Sequence, residues 1–265
     1  MSPYLIQWGP HAGLRYYSLA YIAGIFFSAW LGVRFYRWGW SAMSPERMAW
    51  FMPWCVFAVV VSGHLGDSLF YQWREVCRDP FSIVRPSGGG FFGMASHGVI
   101  LGLPVFFWIY CRVTRFPFWN LMDNVFTVMP VTIGLVRLGN FMNGESWGRP
   151  SSLPWAVIFP GAGDGVPRHP FQIHGFLGEG VLMFVLMWLF RRRHPPDGSA
   201  TVFFLAVYSG VRFFLEFFRA PDDGLFFGWL TRGQLLCAGC LGLAVVVALW
   251  QRRRKHFAAS NLETR

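Results

Sequence analysis

Charge is what this chain has least of: only 14% of its 265 residues are charged, against roughly 25% in soluble proteins. Acids are the scarcer sign, 13 against 23 lysines and arginines. So little charge excludes an ordinary soluble domain. Together with 54% hydrophobic residues, 19% aromatics and a mean hydropathy of +0.38, it describes a membrane protein. Cysteine is also sparse. Five occur without zinc spacing, and the C-x-x-C of Cys237 and Cys240 lies in an apolar run with no partner pair, so both read as small core residues. A phosphate-binding G-x-x-x-x-G-K-[ST] loop, internal repeats and low-complexity tracts are all missing. Neither a metal nor an organic cofactor is implied. The N-terminus has no charged region followed by a small-residue cleavage site, so the first helix is expected to be retained as its own insertion signal.

What is present is a series of apolar runs long enough to cross a hydrocarbon core of about 30 Å. Seven segments qualify, near 16–36, 50–71, 92–112, 121–142, 172–190, 200–219 and 233–250. The expected fold is an all-α membrane protein, a bundle of about seven transmembrane helices in a single domain over 1–265, with an extracytoplasmic loop or small head region at about 143–171. That stretch is rich in proline and glycine, a composition of turns. The net charge of +10 is compatible with nucleic acid, but the basic residues fall at the ends of apolar segments, which the positive-inside rule explains without it. Arg34, Arg37 and Arg47, Arg112 and Arg115, Arg191, Arg192 and Arg193, and Arg252, Arg253, Arg254 and Lys255 all lie on one side, expected to be the cytoplasm. An odd number of spans then puts the N-terminus outside and the C-terminus inside.

Ionisable groups inside such spans cost at least about 2.5–3.5 kcal/mol each, so each needs a partner, a watery cavity or a ligand. The stretch GLVRLGNFMNGESWGR, residues 134–149, carries Arg137, Asn140, Asn143 and Glu145. Helical spacing turns Arg137, Asn140 and Asn143 the same way and leaves Glu145 at or past the helix end. In YSGVRFFLEFFRAPDD, Tyr208, Arg212 and Glu216 follow at i, i+4 on one face, with Arg219 three residues beyond Glu216. A salt bridge accounts for Glu216 as well as a site does. Two arginines from different helices facing one cavity suit a phosphate better than each other, because guanidinium groups bind phosphate through paired donors. His97, amid the glycines of GGGFFGMASHGVILG, reads as a hydrogen-bonded core residue or as a proton acceptor near the membrane surface. Tyr17 fits an interfacial aromatic belt, and His64 with Asp67 reads as a satisfied polar pair.

These motifs resemble the prolipoprotein diacylglyceryl transferases, seven-helix enzymes of the bacterial inner membrane. The likeness rests on the stretch 134–149, with Val136 where the family usually has glycine, and on LRYYSLAYIAG, SHGVILG, PRHPFQ and VRFFLEFFRAPDD in the same order, over about residues 9 to 250. The resemblance implies transfer of the diacylglyceryl group of phosphatidylglycerol to the lipobox cysteine thiol of a preprolipoprotein signal peptide, forming a thioether and releasing glycerol phosphate. It implies His97, Arg137 and Arg212 as catalytic residues. Tyr17, Asn140, Asn143, Glu145, Gly148, Tyr208 and Glu216 are then the substrate-binding set, with membrane lipid as the environment and no nucleic acid as partner. Two departures stand out: Ile173, His174 and Gly175 replace the leucine, tyrosine and glutamate usual after PRHPFQ, and His64 and Asp67 replace an arginine and a tyrosine. A lipid transporter or flippase uses the same cationic cavity without breaking a bond, and a scaffold uses Arg212 and Glu216 only to hold helices.

Overall fold

The computed structural model describes residues 4–7, 13–70, 72–83, 96–220 and 228–263. The chain is all-α. Its long helices are α1 Tyr16–Arg37, α2 Pro45–Phe70, α4 Ser96–Thr114, α5 Phe118–Asn143, α6 Phe171–Arg191, α7 Ser199–Leu215 and α8 Arg232–Glu263, with a short α3 at Trp73–Arg78. Five of these, α2 and α5 to α8, contain stretches long and apolar enough to cross a membrane. Helices α1 and α4 occupy the first and third of the segments expected from the sequence. Short 3-10 turns and two small antiparallel pairs also occur among the described residues, the pairs being β1 Tyr4–Gln7 with β2 Gly13–Arg15, and β3 Val157–Ile158 with β4 Pro167–Arg168.

The chain divides into two compact units, with the divisions falling inside α1 and α5. The unit at 32–121 is held by α2 against α4. A Cβ on Gly98 would come within 2.6 Å of the Gly66 Cα, an approach that only two glycines permit. Phe51 packs on Phe107 and edge-on to Tyr110 along the same helix pair, and the Ala42 N–H donates to Asn120 Oδ1 at 2.9 Å.

The larger unit, 1–31 with 122–265, holds α5 to α8. Buried Met183, Met187, Ala200 and Phe204 form its apolar centre, with Phe126 and Tyr208 packed around them. At the arginine-rich ends of these helices, fully buried Asp123 accepts hydrogen bonds from the Gly198 N–H at 2.7 Å, the Thr201 N–H at 2.7 Å and the Thr201 hydroxyl at 2.6 Å. A carboxylate there satisfies N–H groups that the first turn of α7 leaves without helical partners. Buried Arg191 lies 3.6 Å from the same carboxylate and donates to Asn124 Oδ1 at 3.1 Å. Helix α6 is a π-helix over Phe176–Leu182. Its Gly180 meets Gly134 of α5 so closely that a Cβ on Gly180 would fall 2.8 Å from the Gly134 Cα. That contact draws the middle of α6 onto α5 and sets the neighbouring side chains of the two helices against each other.

Candidate active site

Helix α5 ends at Asn143, and Gly144 and Ser146 turn the chain with φ of 68° and 60°. The loop then runs back against the chain leaving α7. Gly148 bridges to Arg219; its N–H donates to the His169 carbonyl at 3.0 Å, and the Arg149 N–H donates to the Phe218 carbonyl at 2.9 Å. A Cβ on Gly148 would lie 2.6 Å from both carbonyl oxygens, so only glycine fits between them. Further out, Asp164 accepts from the Val166 N–H and pairs with Arg168, and these two contacts hold its carboxyl below the usual aspartate range.

Beneath the loop, Asn140 and Asn143 both donate to Glu145 Oε1, at 2.7 and 3.3 Å. Gln172, fully buried in the first turn of α6, donates to the Glu145 carbonyl at 2.6 Å. The two asparagines therefore fix the exit of α5, and Gln172 ties it to the start of α6.

Deeper lies a cluster of charge. Arg137 of α5 donates through Nε to Glu179 Oε2 at 2.6 Å, and Arg212 of α7 approaches Glu179 Oε1 through Nη1 at 3.3 Å. Tyr208 Oη is 3.4 Å from the same Oε1. Arg212 turns Nη2 to Glu216 Oε2 at 2.6 Å, and Arg219 Nη1 stands 4.0 Å from Glu216 Oε1. The three guanidinium carbons lie 5.3 to 6.0 Å from the ring centre of Phe171, which is wholly buried. Glu216 faces the N-terminal turn of α8: a Cβ on Gly233 would sit 2.5 Å from its carboxyl carbon. Thr231 and Gln234 close that turn as a capping box, each binding the other's backbone N–H. Three guanidiniums against two carboxylates leave a formal charge of +1, with Glu179 fully buried and the side chains of Arg137, Arg212 and Arg219 exposed by 18, 11 and 22%. The charge is thus sunk among helices, with the arginine side chains only partly exposed. Next to it runs an open apolar cleft of about 700 Å³, lined by Leu177, Gly178, Val211, Leu215 and Phe218 among others. Four of these residues directly precede or follow a charged member of the cluster in sequence.

The family model for prolipoprotein diacylglyceryl transferases matches residues 3–250. Among curated relatives, the phosphatidylglycerol–prolipoprotein diacylglyceryl transferase of Cupriavidus pinatubonensis is 38% identical over 96% of this chain and 92% of its own. Those of Nitratidesulfovibrio vulgaris and Pseudoalteromonas atlantica are 37% and 35% identical, covering 98% and 99% of this chain and 96% and 93% of theirs. The chain belongs to the prolipoprotein diacylglyceryl transferase family.

Of the residues that the diacylglyceryl transferase motifs single out, the structure brings Arg137, Tyr208, Arg212 and Glu216 into one cluster, with the two arginines meeting on a shared carboxylate. Asn140, Asn143 and Glu145 form their own network at the end of α5, and Gly148 is a close-packing position in the loop. His97 is the second residue of α4 and Tyr17 the second of α1; their side chains lie outside the described residues. The departures from the family pattern have local explanations. His64 Nε2 is 2.6 Å from the Ile83 carbonyl, and Asp67 accepts from Gln72 at 2.7 Å, so each engages the segment that follows α2. His174 packs edge-on to Phe218 and beside His169, both with ring centres 5.6 Å away. Gly175 lies directly against Arg137, where a Cβ would come within 2.9 Å of Cδ. Sequence reasoning missed Glu179, Phe171 and Gln172 as parts of this arrangement, and paired Arg219 with Glu216 without assigning it to the site. The signal for Glu179 was available: it is a lone carboxylate in an apolar span, which the cost of burying charge marks as partnered.

Proposed function

We propose that this chain transfers the diacylglyceryl group of phosphatidylglycerol to the lipobox cysteine thiol of a preprolipoprotein. The reading rests on family membership together with one observation: guanidiniums from α5 and α7 meet in a cluster of net formal charge +1 inside a helical membrane protein. Arg137 spends its Nε on Glu179, which leaves the fork of its two terminal nitrogens as the natural bidentate partner of a phosphate.

In the reaction the cysteine sulfur attacks the glycerol carbon that bears the phosphate ester. The S–C bond forms, the C–O bond to phosphate breaks, and glycerol phosphate leaves with the electron pair. Arg137 and Arg212 hold the phosphate and stabilise the charge that gathers on the departing ester oxygen. A cysteine thiol of pKa about 8.5 is only partly ionised near neutrality, and His97 accepts its proton. Asn140, Asn143 and Glu145 place the glycerol, Gly148, Tyr208 and Glu216 shape the surrounding wall, and Tyr17 positions the head group at the interface. The arginine-flanked helix ends face the cytoplasm, so the chain starts outside, ends inside and works on the extracytoplasmic side of the inner membrane.

The test is reconstituted protein with phosphatidylglycerol and a lipobox peptide, followed by mass spectrometry of the peptide. A thioether adduct that is lost in Arg137→Ala is the expected result. Lipid movement across the bilayer with no adduct would replace the transferase with a flippase. Full rate in His97→Asn would remove the base assignment and leave the phosphate clamp intact.

A further inference from the structure

We propose that Glu179 is a positioning residue of the transfer reaction, an internal carboxylate that sets the spacing and direction of Arg137 and Arg212 around the lipid phosphate. The inference rests on the phosphate-clamp reading and names what builds the clamp. Glu179 has no exposed surface, and its two oxygens are divided between the two arginines: Oε2 takes Arg137 Nε at 2.6 Å and Oε1 faces Arg212 Nη1 at 3.3 Å. It therefore lies between the two guanidiniums, with one oxygen for each.

Without a carboxylate between them, two like charges would swing apart, and each would find its own counter-ion. Glu216 already offers one to Arg212 at 2.6 Å, on the opposite edge of that guanidinium. Among the described residues Glu179 is the carboxylate that reaches both arginines, so it couples their positions. The backbone is shaped for this contact. The π-helical turn over Phe176–Leu182 carries Glu179, and Gly180 lets α6 close on Gly134 of α5, three residues from Arg137. Gly175, one turn earlier, clears the path: a Cβ there would stand 3.0 Å from Arg137 Nε and 3.1 Å from Glu179 Oε2. A purely structural ion pair needs no such shared geometry. Glu179 engages Arg137 through Nε and Arg212 through Nη1, which fixes the two guanidiniums side by side and leaves the terminal nitrogens of Arg137 for a second anion.

The arrangement makes a prediction with two opposite signs. Glu179→Gln removes one negative charge and raises the formal charge of the cluster from +1 to +2. Ground-state attraction for a phosphate then grows while the alignment of the two arginines is lost. In reconstituted enzyme, kcat for adduct formation is expected to fall about 100-fold, the scale of a misplaced catalytic group, while inhibition by glycerol phosphate becomes equal or tighter. A kcat within about twofold of wild type overturns the proposal, as does weaker glycerol phosphate inhibition in step with the loss of kcat. If Glu179→Gln shows no cooperative unfolding transition, Glu179→Asp carries the test. It keeps the charge but is one methylene too short to reach both arginines. Its kcat is expected to fall about tenfold with unchanged glycerol phosphate inhibition, and an unchanged kcat overturns the proposal. Arg137→Ala in the same assay separates the two inferences: glycerol phosphate inhibition equal to wild type there sinks the clamp itself, whatever Glu179 does.

Discussion

At the scale of the residue, the cost of burying charge organises the site. Arg137 and Arg212 could be picked from the sequence because arginine in an apolar span needs a partner, and the i, i+4 step from Arg212 to Glu216 is a 2.6 Å contact in the structure. The acid that answers Arg137 lies 42 residues away, and no helical spacing links them. Long-range pairing of this kind is set by how α5 meets α6, which depends on the small residues Gly134 and Gly180 rather than on the charges. Gly148 was legible as a motif position, but its reason was not. It sits between two carbonyl oxygens supplied by separate parts of the chain. Gly148→Ala is accordingly expected to push the loop off the chain after α7, costing about 1–3 kcal/mol as overpacking does. Because Glu145 belongs to that loop and would be drawn from Asn140 and Asn143, adduct formation should fall at least tenfold. Activity of Gly148→Ala near the wild-type level, measured with the same peptide assay, would show that the loop tolerates the extra carbon.

At the scale of the element, helix positions were readable from hydropathy to within a few residues. The long runs near 121–142 and 172–190 are the helices Phe118–Asn143 and Phe171–Arg191. The irregularity within them was not readable: nothing in FLGEGVL separates a π-helical turn from an α-helical one, since that choice follows from the fit against a neighbouring helix. The buried Asp123–Arg191 pair likewise emerges only when the ends of α5, α6 and α7 come together. Here the carboxylate is a structural staple, bound to three donors at the first turn of α7 and far along α5 from Arg137. Asp123→Ala removes the carboxylate 3.6 Å from buried Arg191 and the acceptor of three hydrogen bonds, a change worth about 3–5 kcal/mol in comparable pairs. A lowered midpoint of thermal unfolding in detergent, with kcat retained at a temperature where the variant is folded, is the expected outcome. Equal loss of kcat in the folded variant would mean that the two ends of these helices are functionally coupled.

At the scale of the whole molecule, the chain's few charges do two separate jobs. Arginines at helix ends set the direction of insertion, whereas those in the cluster are matched by Glu179 and Glu216 and carry little weight in that choice. The flanking set includes Arg34 and Arg37 at the end of α1, Arg112 near the end of α4, Arg191 to Arg193 at and just past the end of α6 and Arg252 to Arg253 late in α8. Their common side is expected to be the cytoplasm. The loop carrying Glu145 and Gly148 follows the opposite end of α5, so it is expected to lie outside. Single cysteines test this directly, in a background with exposed Cys77 replaced by serine. Exposed Ser152→Cys in the loop should react with a membrane-impermeant maleimide in spheroplasts, and exposed Arg193→Cys only after permeabilisation. The reverse pattern would place the clamp on the cytoplasmic side, where a secreted preprolipoprotein cysteine could not reach it after translocation.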